Sequence, residues 1–377
     1  MEGFSSIVAA DPLVLCSDSI SAAAAAGLTY VESWFRGIRR LSARNGFRYV
    51  LPSGKPLTRE RDLERIRSLV IPPAWTDVQI CLDANGHIQA VGRDAKGRKQ
   101  YRYHPRWREV RDAAKYGRLL AFAEALPALR RRVARDLGRS GLPREKVLAT
   151  VADLLERTLI RVGNEEYAQK NDSYGLTTLR ERHVDIEGAN IRFSFRGKSG
   201  KEHVIDMRDR RLAIIVRRCQ ELPGQELFHY LDDAGTPRRI ESSDVNAYLR
   251  EAAGDDFSAK DVRTWYGTLL LARALFHGEQ AGPPTAKNVA TAVKEVAARL
   301  GNTPAVCRRC YVHPAVISRY LRGEPAPTLR AKKLTSGAEG ARMGLSPEER
   351  ALVALLRAEA LFEKQQDGGR IRPREAA

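Results

Sequence analysis

Glu145-Lys-Val-Leu-Ala-Thr-Val-Ala-Asp-Leu-Leu-Glu-Arg-Thr-Leu-Ile-Arg-Val162 has the spacing of an amphipathic helix. Val147, Leu148, Val151, Leu154, Leu155, Leu159 and Val162 fall on one face, and Arg161 stands at its rim. Residues 190–206 break the helical spacing: Ile191-Arg-Phe-Ser-Phe195 and His203-Val-Ile205 flank Gly197-Lys198-Ser199-Gly200, a hairpin signal. Helical spacing returns at 208–221, 243–252, 260–277 and 285–300. Thr303 and Pro304 have the residue types of an N-cap and a first helical position, so a short helix is expected from Pro304. From Trp107 onward the chain reads as mostly helical.

Upstream the pattern changes. A polar, aromatic-containing run at Gly46–Val50 leads to the turn Pro52-Ser53-Gly54. Leu57 to Leu69 reads as a helix stopped by Ile71-Pro72-Pro73. Val78–Leu82 and His87–Val91 flank the turn Asp83-Ala84-Asn85-Gly86, and Lys99–Tyr103 alternates as a further strand. The fold class expected is α+β: a small strand-rich N-terminal domain, then a mostly α-helical domain with a β-hairpin insertion. The expected divisions are a poorly ordered leader (1–27), an α+β domain (28–107), a helical domain (108–323) and a segment of linker, helix and basic tail (324–377). In that last segment Ser346-Pro-Glu-Glu349 caps a helix reaching Lys364, and Arg370–Arg374 is basic.

The 377 residues suggest two domains, and the 43% hydrophobic content suffices for ordinary cores. The 64 Lys and Arg against 46 Asp and Glu give a net +18, which points to a polyanionic partner, nucleic acid before membrane. Arg outnumbers Lys along most of the chain, which suits bidentate phosphate contacts. A GC-rich genome accounts for Arg over Lys but not for the net charge. The five cysteines, Cys16, Cys81, Cys219, Cys307 and Cys310, are odd in number and scattered, which fits a reducing compartment better than a disulfide framework. No apolar run is long enough to span a bilayer, and the first 26 residues lack the basic start of a secretory signal.

Several polar residues stand where packing alone does not call for them. Arg263 lies at the edge of the apolar arc of helix 260–277, as Arg161 does on helix 145–162. Two guanidinium groups at the margins of buried faces can hold the non-bridging oxygens of a phosphodiester. Taken singly, each is better explained by an ion pair: Arg161 with Glu165, Arg263 with a neighbouring acid such as Asp261 or Glu279. Lys198 occupies a Gly-flanked tip, either merely solvated or able to reach a DNA groove and protonate a leaving oxygen. Tyr311 follows Cys307-Arg-Arg-Cys310; the thiol pair has no second pair at zinc-finger spacing, so structural thiols are expected. His313 carries little signal. On Gln100-Tyr101-Arg102-Tyr103 alternation puts both tyrosines on one face, either packed on a helix or offered to base edges.

In combination these segments resemble one family. Leu159-Ile-Arg161-Val-Gly163-Asn-Glu-Glu-Tyr167 with Gly175-Leu-Thr-Thr-Leu179 resembles the first arginine box of the poxvirus-type DNA topoisomerases IB. Gly197-Lys198 resembles the family's lysine loop, Lys260-Asp-Val-Arg263-Thr264 its second arginine box, and Leu300-Gly-Asn302-Thr-Pro304 with Tyr311 its nucleophile box. Gly97-Arg-Lys99-Gln100-Tyr101-Arg-Tyr103 is similar to its amino-terminal DNA-contact strand. The resemblance covers roughly residues 28–323, with the motifs in order.

The resemblance implies catalytic roles for Tyr311 (nucleophile), Arg161, Lys198 (general acid), Arg263 and Asn302. It implies DNA contacts by Lys99, Gln100, Tyr101, Tyr103, Tyr167 and Thr178. It further implies a C-shaped clamp on duplex DNA, strand cleavage without cofactor, metal or ATP, and a monomer acting on the nucleoid in the cytoplasm. Poxvirus and human enzymes carry His where this chain has Asn302; the bacterial branch carries Asn. Two rivals remain. A tyrosine recombinase shares the Arg–Lys–Arg–Tyr chemistry but usually has His at the place of Asp261 and a helical amino-terminal module. A non-enzymatic architectural protein would bind DNA without forming a covalent adduct.

Overall fold

The computed structural model describes residues 19–32, 36–95, 97–232, 234–277, 283–325 and 343–369. The chain divides between Arg118 and Leu119 into two compact units. It mixes helix and sheet, with the larger sheet in the first unit and most of the helix in the second.

In the first unit, α1 (Ser19–Ala25) lies within the stretch expected as a leader. Ala22, Ala23, Ala26 and Leu28 bury against Trp107, which gives this short alanine-rich turn an aromatic surface to pack on. Residues 1–18 lie outside the described residues. Then come β1 (Ile38–Ala43), β2 (Gly46–Val50), α2 (Glu60–Ser68), β3 (Thr76–Ile80), β4 (Ile88–Arg93) and β5 (Lys99–Tyr103). The strands form one antiparallel sheet in the order β2-β1-β3-β4-β5, which leaves β5 on an edge. Ile38, Val78, Ile80 and Ala90 of the sheet pack with Ile66 of α2.

Strand β1 carries two arginines in six residues and gives little strand signal. Its Arg40 is buried nonetheless, donating to the carbonyls of Ile71 (3.2 Å), Pro72 (3.0 Å) and Trp75 (2.7 Å). The prolines after α2 free carbonyls from helical bonding, and one guanidinium gathers them.

The second unit takes in α3 (Pro105–Leu137) from Leu119 on, then α4 (Arg144–Thr158). Val147, Leu148, Val151, Leu154 and Leu155 of α4 are buried, each worth about 1.5–3 kcal/mol relative to exposure. The helix stops earlier than the apolar spacing predicted. Leu159 takes the left-handed conformation at φ 57° and its N–H returns to the Leu155 carbonyl at 3.1 Å. Leu159, Ile160 and Val162 remain buried although they are no longer helical, so the periodicity runs on past the cap. Arg161 therefore projects from a connecting segment, not from a helix. That segment is fixed by Leu176 N–H to the Arg161 carbonyl (2.8 Å) and Thr177 N–H to the Val162 carbonyl (2.6 Å). Gly175 permits the approach: a Cβ there would lie 2.6 Å from the Arg161 carbonyl oxygen.

Beyond α5 (Glu165–Asn171) the strands β6 (Val184–Glu187), β7 (Asn190–Arg196) and β8 (Glu202–Arg208) form an antiparallel sheet in that order. β7 and β8 pair from Asn190↔Arg208 to Arg196↔Glu202 and are joined through Gly197–Lys201. Next come α6 (Arg210–Gln220), β9 (His229–Leu231), β10 (Pro237–Arg239), α7 (Ser242–Ala253), α8 (Ala259–His277), α9 (Ala286–Arg299), α10 (Pro304–Cys310) and α11 (Pro314–Leu321). Phe122 of α3 meets Phe257 and Trp265 at ring separations of 5.3 and 6.4 Å.

Last is α12 (Pro347–Gly369), which starts with the expected reciprocal cap. Ser346 N–H donates to the Glu349 carboxylate (2.7 Å) and Glu349 N–H to the Ser346 hydroxyl (3.1 Å). Most of the expected linker (326–342) and the basic end (Arg370–Arg374) lie outside the described residues.

Candidate active site

Four of the five residues expected to act chemically converge on the turn that follows α9. Arg161 directs one nitrogen, Nη2, to the Gly301 carbonyl (3.1 Å) and to the side-chain oxygen of Asn302. Arg263 of α8 donates from Nη2 to the Leu300 carbonyl at 2.7 Å. Among the described residues neither Arg161 with Glu165 nor Arg263 with Asp261 forms an ion pair: Glu165 lies 3.7 Å from Arg239 and Asp261 accepts from Ser258; Glu279 lies outside the described residues.

Tyr311 ends α10. Thr303 caps that helix, Pro304 opens it, and the Tyr311 N–H closes on the Cys307 carbonyl at 2.9 Å. The phenol ring is half-buried, with the Arg263 guanidinium carbon 5.3 Å from its centre. Helix α8 grips the same segment at its backbone. A Cβ on Gly267 would meet the Tyr311 carbonyl oxygen at 2.5 Å, and Thr268 Oγ1 accepts the His313 N–H at 3.1 Å. No sequence signal marked Gly267 or Thr268 for this work.

The electrostatics are those of a crowded cation site. Burial pushes the Arg263 guanidinium down to about 10, the neighbouring Arg161 adds to the effect, and Tyr311 opposes it. Burial also lowers Arg161, again opposed by Tyr311. Arg263 Nε and Nη1 and Asn302 Nδ2 are buried donors without a hydrogen-bond partner among the described residues. A buried N–H left in that state is costly, so these three donors are available to an incoming acceptor. The Asn302 amide is oriented by its bond from Arg161: the oxygen is engaged, and the NH₂ is the free end.

Lys198 is not brought into this cluster. It is exposed, with Nζ 5.8 Å from the centre of the Tyr167 ring. The lysine that reaches the cluster is Lys201, whose Nζ donates to the Asn302 main-chain carbonyl at 2.7 Å. His203 joins it there, stacked on Phe195 at 5.1 Å and lining a small cavity with Arg161, Arg263 and Leu300. Sequence reading took His203 only as part of a strand. Strand alternation, which puts Lys201 and His203 on one face, was the signal available.

The thiols at 307 and 310 are free. Burial pushes Cys307 up to about 11, as expected of a structural cysteine. No group of three or more His, Cys, Asp or Glu among the described residues could hold a metal ion. His313 caps α11, its Nδ1 accepting the Ala315 N–H at 3.1 Å.

Of the residues expected to touch DNA, Tyr167 is exposed. Thr178 is not: it is 4% exposed, and its hydroxyl is spent on Gly175 N–H (3.0 Å) and the Gly175 carbonyl (3.2 Å). A turn this tight needs that hydroxyl, so Thr178 shapes the Arg161 loop from inside. In the first unit all of β5 is half-buried. Tyr101 and Tyr103 stack at 5.8 Å on one face, Lys99 Nζ lies 5.3 Å from the Tyr101 ring centre, and the Gln100 amide donates to Asp94 at 2.9 Å.

Comparison with known proteins matches both units. Residues 104–325, more than half of the chain, match the family described as eukaryotic DNA topoisomerase I, catalytic core. Residues 46–94 match the N-terminal domain of bacterial DNA topoisomerase IB. The chain is 33% identical over 293 residues to DNA topoisomerase 1B of Acanthamoeba polyphaga mimivirus, covering 75% of this chain and 87% of that one. It is 23% identical over 264 residues to DNA topoisomerase 1B of Vaccinia virus (strain Western Reserve), covering 67% and 80%.

Proposed function

The chain belongs to the type IB DNA topoisomerase family, and we propose that it relaxes supercoiled duplex DNA through a covalent bond between Tyr311 and a 3′-phosphate. The observation that carries this reading is the set of buried donors without a partner among the described residues, Arg263 Nε and Nη1 and Asn302 Nδ2, with the Arg263 guanidinium set against the Tyr311 ring.

The Tyr311 hydroxyl gives up its proton to solvent, its oxygen attacks phosphorus, and the bond to the 5′-oxygen breaks. A phenol with an ordinary pKa of about 10 needs cationic surroundings to act as a nucleophile at neutral pH. Arg161 and Arg263 supply them. The same guanidinium groups, with the Asn302 amide, donate to the non-bridging oxygens, on which charge grows in the pentacoordinate transition state. The departing 5′-oxygen takes a proton from Lys198. Lys198 reaches it by movement of the turn's tip, where Gly200 at φ 74° supplies conformational freedom while Gly197 and Lys201 hold its two ends. The phosphotyrosine keeps the energy of the broken bond, so resealing draws on no ATP. The positive charge comes from side chains, without a metal. Between the two steps the free strand rotates and releases superhelical strain.

DNA binding extends to Tyr167 and to the strand β5 bearing Lys99, Gln100, Tyr101 and Tyr103. The net charge of +18 supports this and implies binding that weakens steeply with salt. A monomer working on the nucleoid in the cytoplasm completes the reading. Among the described residues no helix is long and apolar enough to cross a membrane.

The test is plasmid relaxation in EDTA without ATP. The parent is expected to give relaxed topoisomers, and Tyr311→Phe to bind duplex DNA without relaxing it. Relaxation by the phenylalanine variant would remove Tyr311 from its role. Strand exchange between sites, instead of relaxation, would favour a recombinase.

A further inference from the structure

Asn302 is pinned on three sides. Its N–H donates to the Ala297 carbonyl (2.8 Å), its side-chain oxygen accepts from Arg161, and its main-chain carbonyl accepts from Lys201 (2.7 Å). The NH₂ is buried and without a partner among the described residues. The first pin is local to the turn, and the second comes from a residue already placed in the chemistry. The third crosses from the start of β8, outside every motif so far given a role.

Two residues along the same face, His203 makes a second contact with the same turn. Its ring stacks on Phe195 of β7 at 5.1 Å with the planes 13° apart. Its edge is pressed against two glycine backbones. A Cβ on Gly301 would lie 2.4 Å from His203 Cε1, and a Cβ on Gly197 2.6 Å from its Nε2 and Cδ2. Gly197 directly precedes Lys198, and Gly301 directly precedes Asn302. One imidazole thus touches the backbone beside each of two residues that come from distant stretches of chain.

We infer that Lys201 and His203 are positioning residues, which fasten the Asn302 turn to the Lys198 turn so that the anion-binding amide and the proton donor are set by one strand edge. This rests on the Tyr311-centred reading. The charge environment agrees with a structural imidazole. Burial, Arg161, Arg263 and Lys201 all hold His203 below the ordinary histidine range, with only Glu202 opposing, so the ring is a neutral wedge at neutral pH.

The distinguishing experiment measures single-turnover cleavage on two duplexes, one natural and one with sulfur in place of the bridging 5′-oxygen. A thiolate departs with the bonding electron pair and needs no proton, so the sulfur substrate relieves the loss of a general acid and nothing else. Lys201→Met is expected to slow cleavage by up to about 10²-fold on the natural duplex, as misplacement of a reacting group by about 1 Å does, and to stay slow, though by less, on sulfur, because the Asn302 amide is displaced as well as the proton donor. Lys201→Arg should recover part of that loss, and the Lys198→Met defect should shrink on sulfur. His203→Ala should slow both substrates, and His203→Phe, which keeps a stacking ring, should recover most of the loss.

Parent rates for Lys201→Met on both duplexes would overturn the inference, because the latch would then do nothing. A Lys201→Met defect cured completely by sulfur would overturn it too, because the Asn302 turn would then be unaffected by the loss of its latch. Equal losses for His203→Ala and His203→Phe would refute the wedge. Tyr311→Phe run alongside separates the layers. A covalent adduct with that variant breaks the Tyr311 reading itself, whereas its absence with an unaffected Lys201→Met breaks only this inference.

Discussion

Arg263 lies with its guanidinium carbon 5.3 Å from the centre of the Tyr311 ring, and its Nη2 donates to the Leu300 carbonyl at 2.7 Å, while Nε and Nη1 have no hydrogen-bond partner among the described residues. The two other nitrogens are buried donors held in reserve. A preorganised donor in such a site is worth roughly 10²–10³ in rate, because it need not reorganise as charge develops. Arg263→Ala is therefore expected to slow single-turnover cleavage by about that factor. Arg263→Lys should restore little, since an ammonium cannot bond to Leu300 and still present a planar fork. Full activity in Arg263→Lys would show that charge alone is required.

Asn302 offers a pH test. An amide does not titrate near neutrality, whereas an imidazole does. In Asn302→His the new ring would sit among Arg161, Arg263 and Lys201, and those cations would lower its pKa. It would be a charged donor only at the acid end. As pH rises through its pKa, the variant loses a cationic donor that the parent never had. The ratio of variant to parent cleavage rates should fall between pH 5 and 8. Superimposable profiles over that range would remove Asn302 from contact with the reacting phosphate. The variant should also be slower throughout, because Arg161 loses its side-chain acceptor.

The residues that sequence reading found are those whose local chemistry is self-announcing. Thr303 with Pro304, and Ser346 with Glu349, state their helix starts in the order of residue types. The turn at Gly197–Gly200 does the same for β7 and β8. What escaped reading depends on long-range packing. The left-handed stop at Leu159 is hidden because the chain stays in the core after the helix ends. β1 is hidden because its Arg40 is buried by carbonyls thirty residues away. α1 is hidden because its alanines need Trp107. The site was legible as a set of motifs, and its convergence on the Leu300–Asn302 turn was not. Lys201, His203, Gly267 and Thr268 have meaning only once α8, α9 and β8 are placed together.

His183 predicts an acid limb in stability. Burial, together with Arg182 and Arg180, pushes its imidazole down to about 4 in the folded chain from an ordinary 6.5. As pH falls through 6.5 the unfolded chain takes up the proton while the folded chain still refuses it. The contribution of neutral His183 is thus full above pH 6.5 and is lost between 6.5 and 4. His183→Gln removes the titration and leaves an acceptor for the Arg180 N–H. Between pH 7 and 4.5 the parent's urea midpoint should drop more than the variant's. Parallel drops would show that His183 protonates equally in both states.

Glu349 decides what the last helix contributes. It is 2% exposed, yet it carries a charge that its surroundings account for. Burial pushes its carboxyl up, but Arg130 and the Ser346 N–H outweigh burial and hold it below the usual carboxylate range. Arg130 reaches it from α3 at 2.6 and 3.0 Å and also meets Glu156 of α4, while Trp265 and Tyr266 of α8 close the cluster at 3.5 and 3.3 Å. One side chain of α12 thus joins α3 and α8, the helix that carries Arg263. At the far end Glu359 accepts from Arg319 (3.2 Å) and Arg322 (2.5 Å), which lie on and just beyond the end of α11, the helix that follows Tyr311. Removing one partner of such a pair strands the other in a desolvated place. Glu349→Leu is therefore expected to destabilise the protein by about 3 kcal/mol, read as a lower urea midpoint at pH 7 with an unchanged slope. The sign follows pH: a carboxylate held low stabilises above its unfolded pKa, and the contribution fades as pH falls through its folded value. The gap between parent and variant should narrow in acid. If the midpoints coincide at pH 7, α12 packs through Leu352, Leu355 and Leu356 alone, and the buried charge is incidental to its docking.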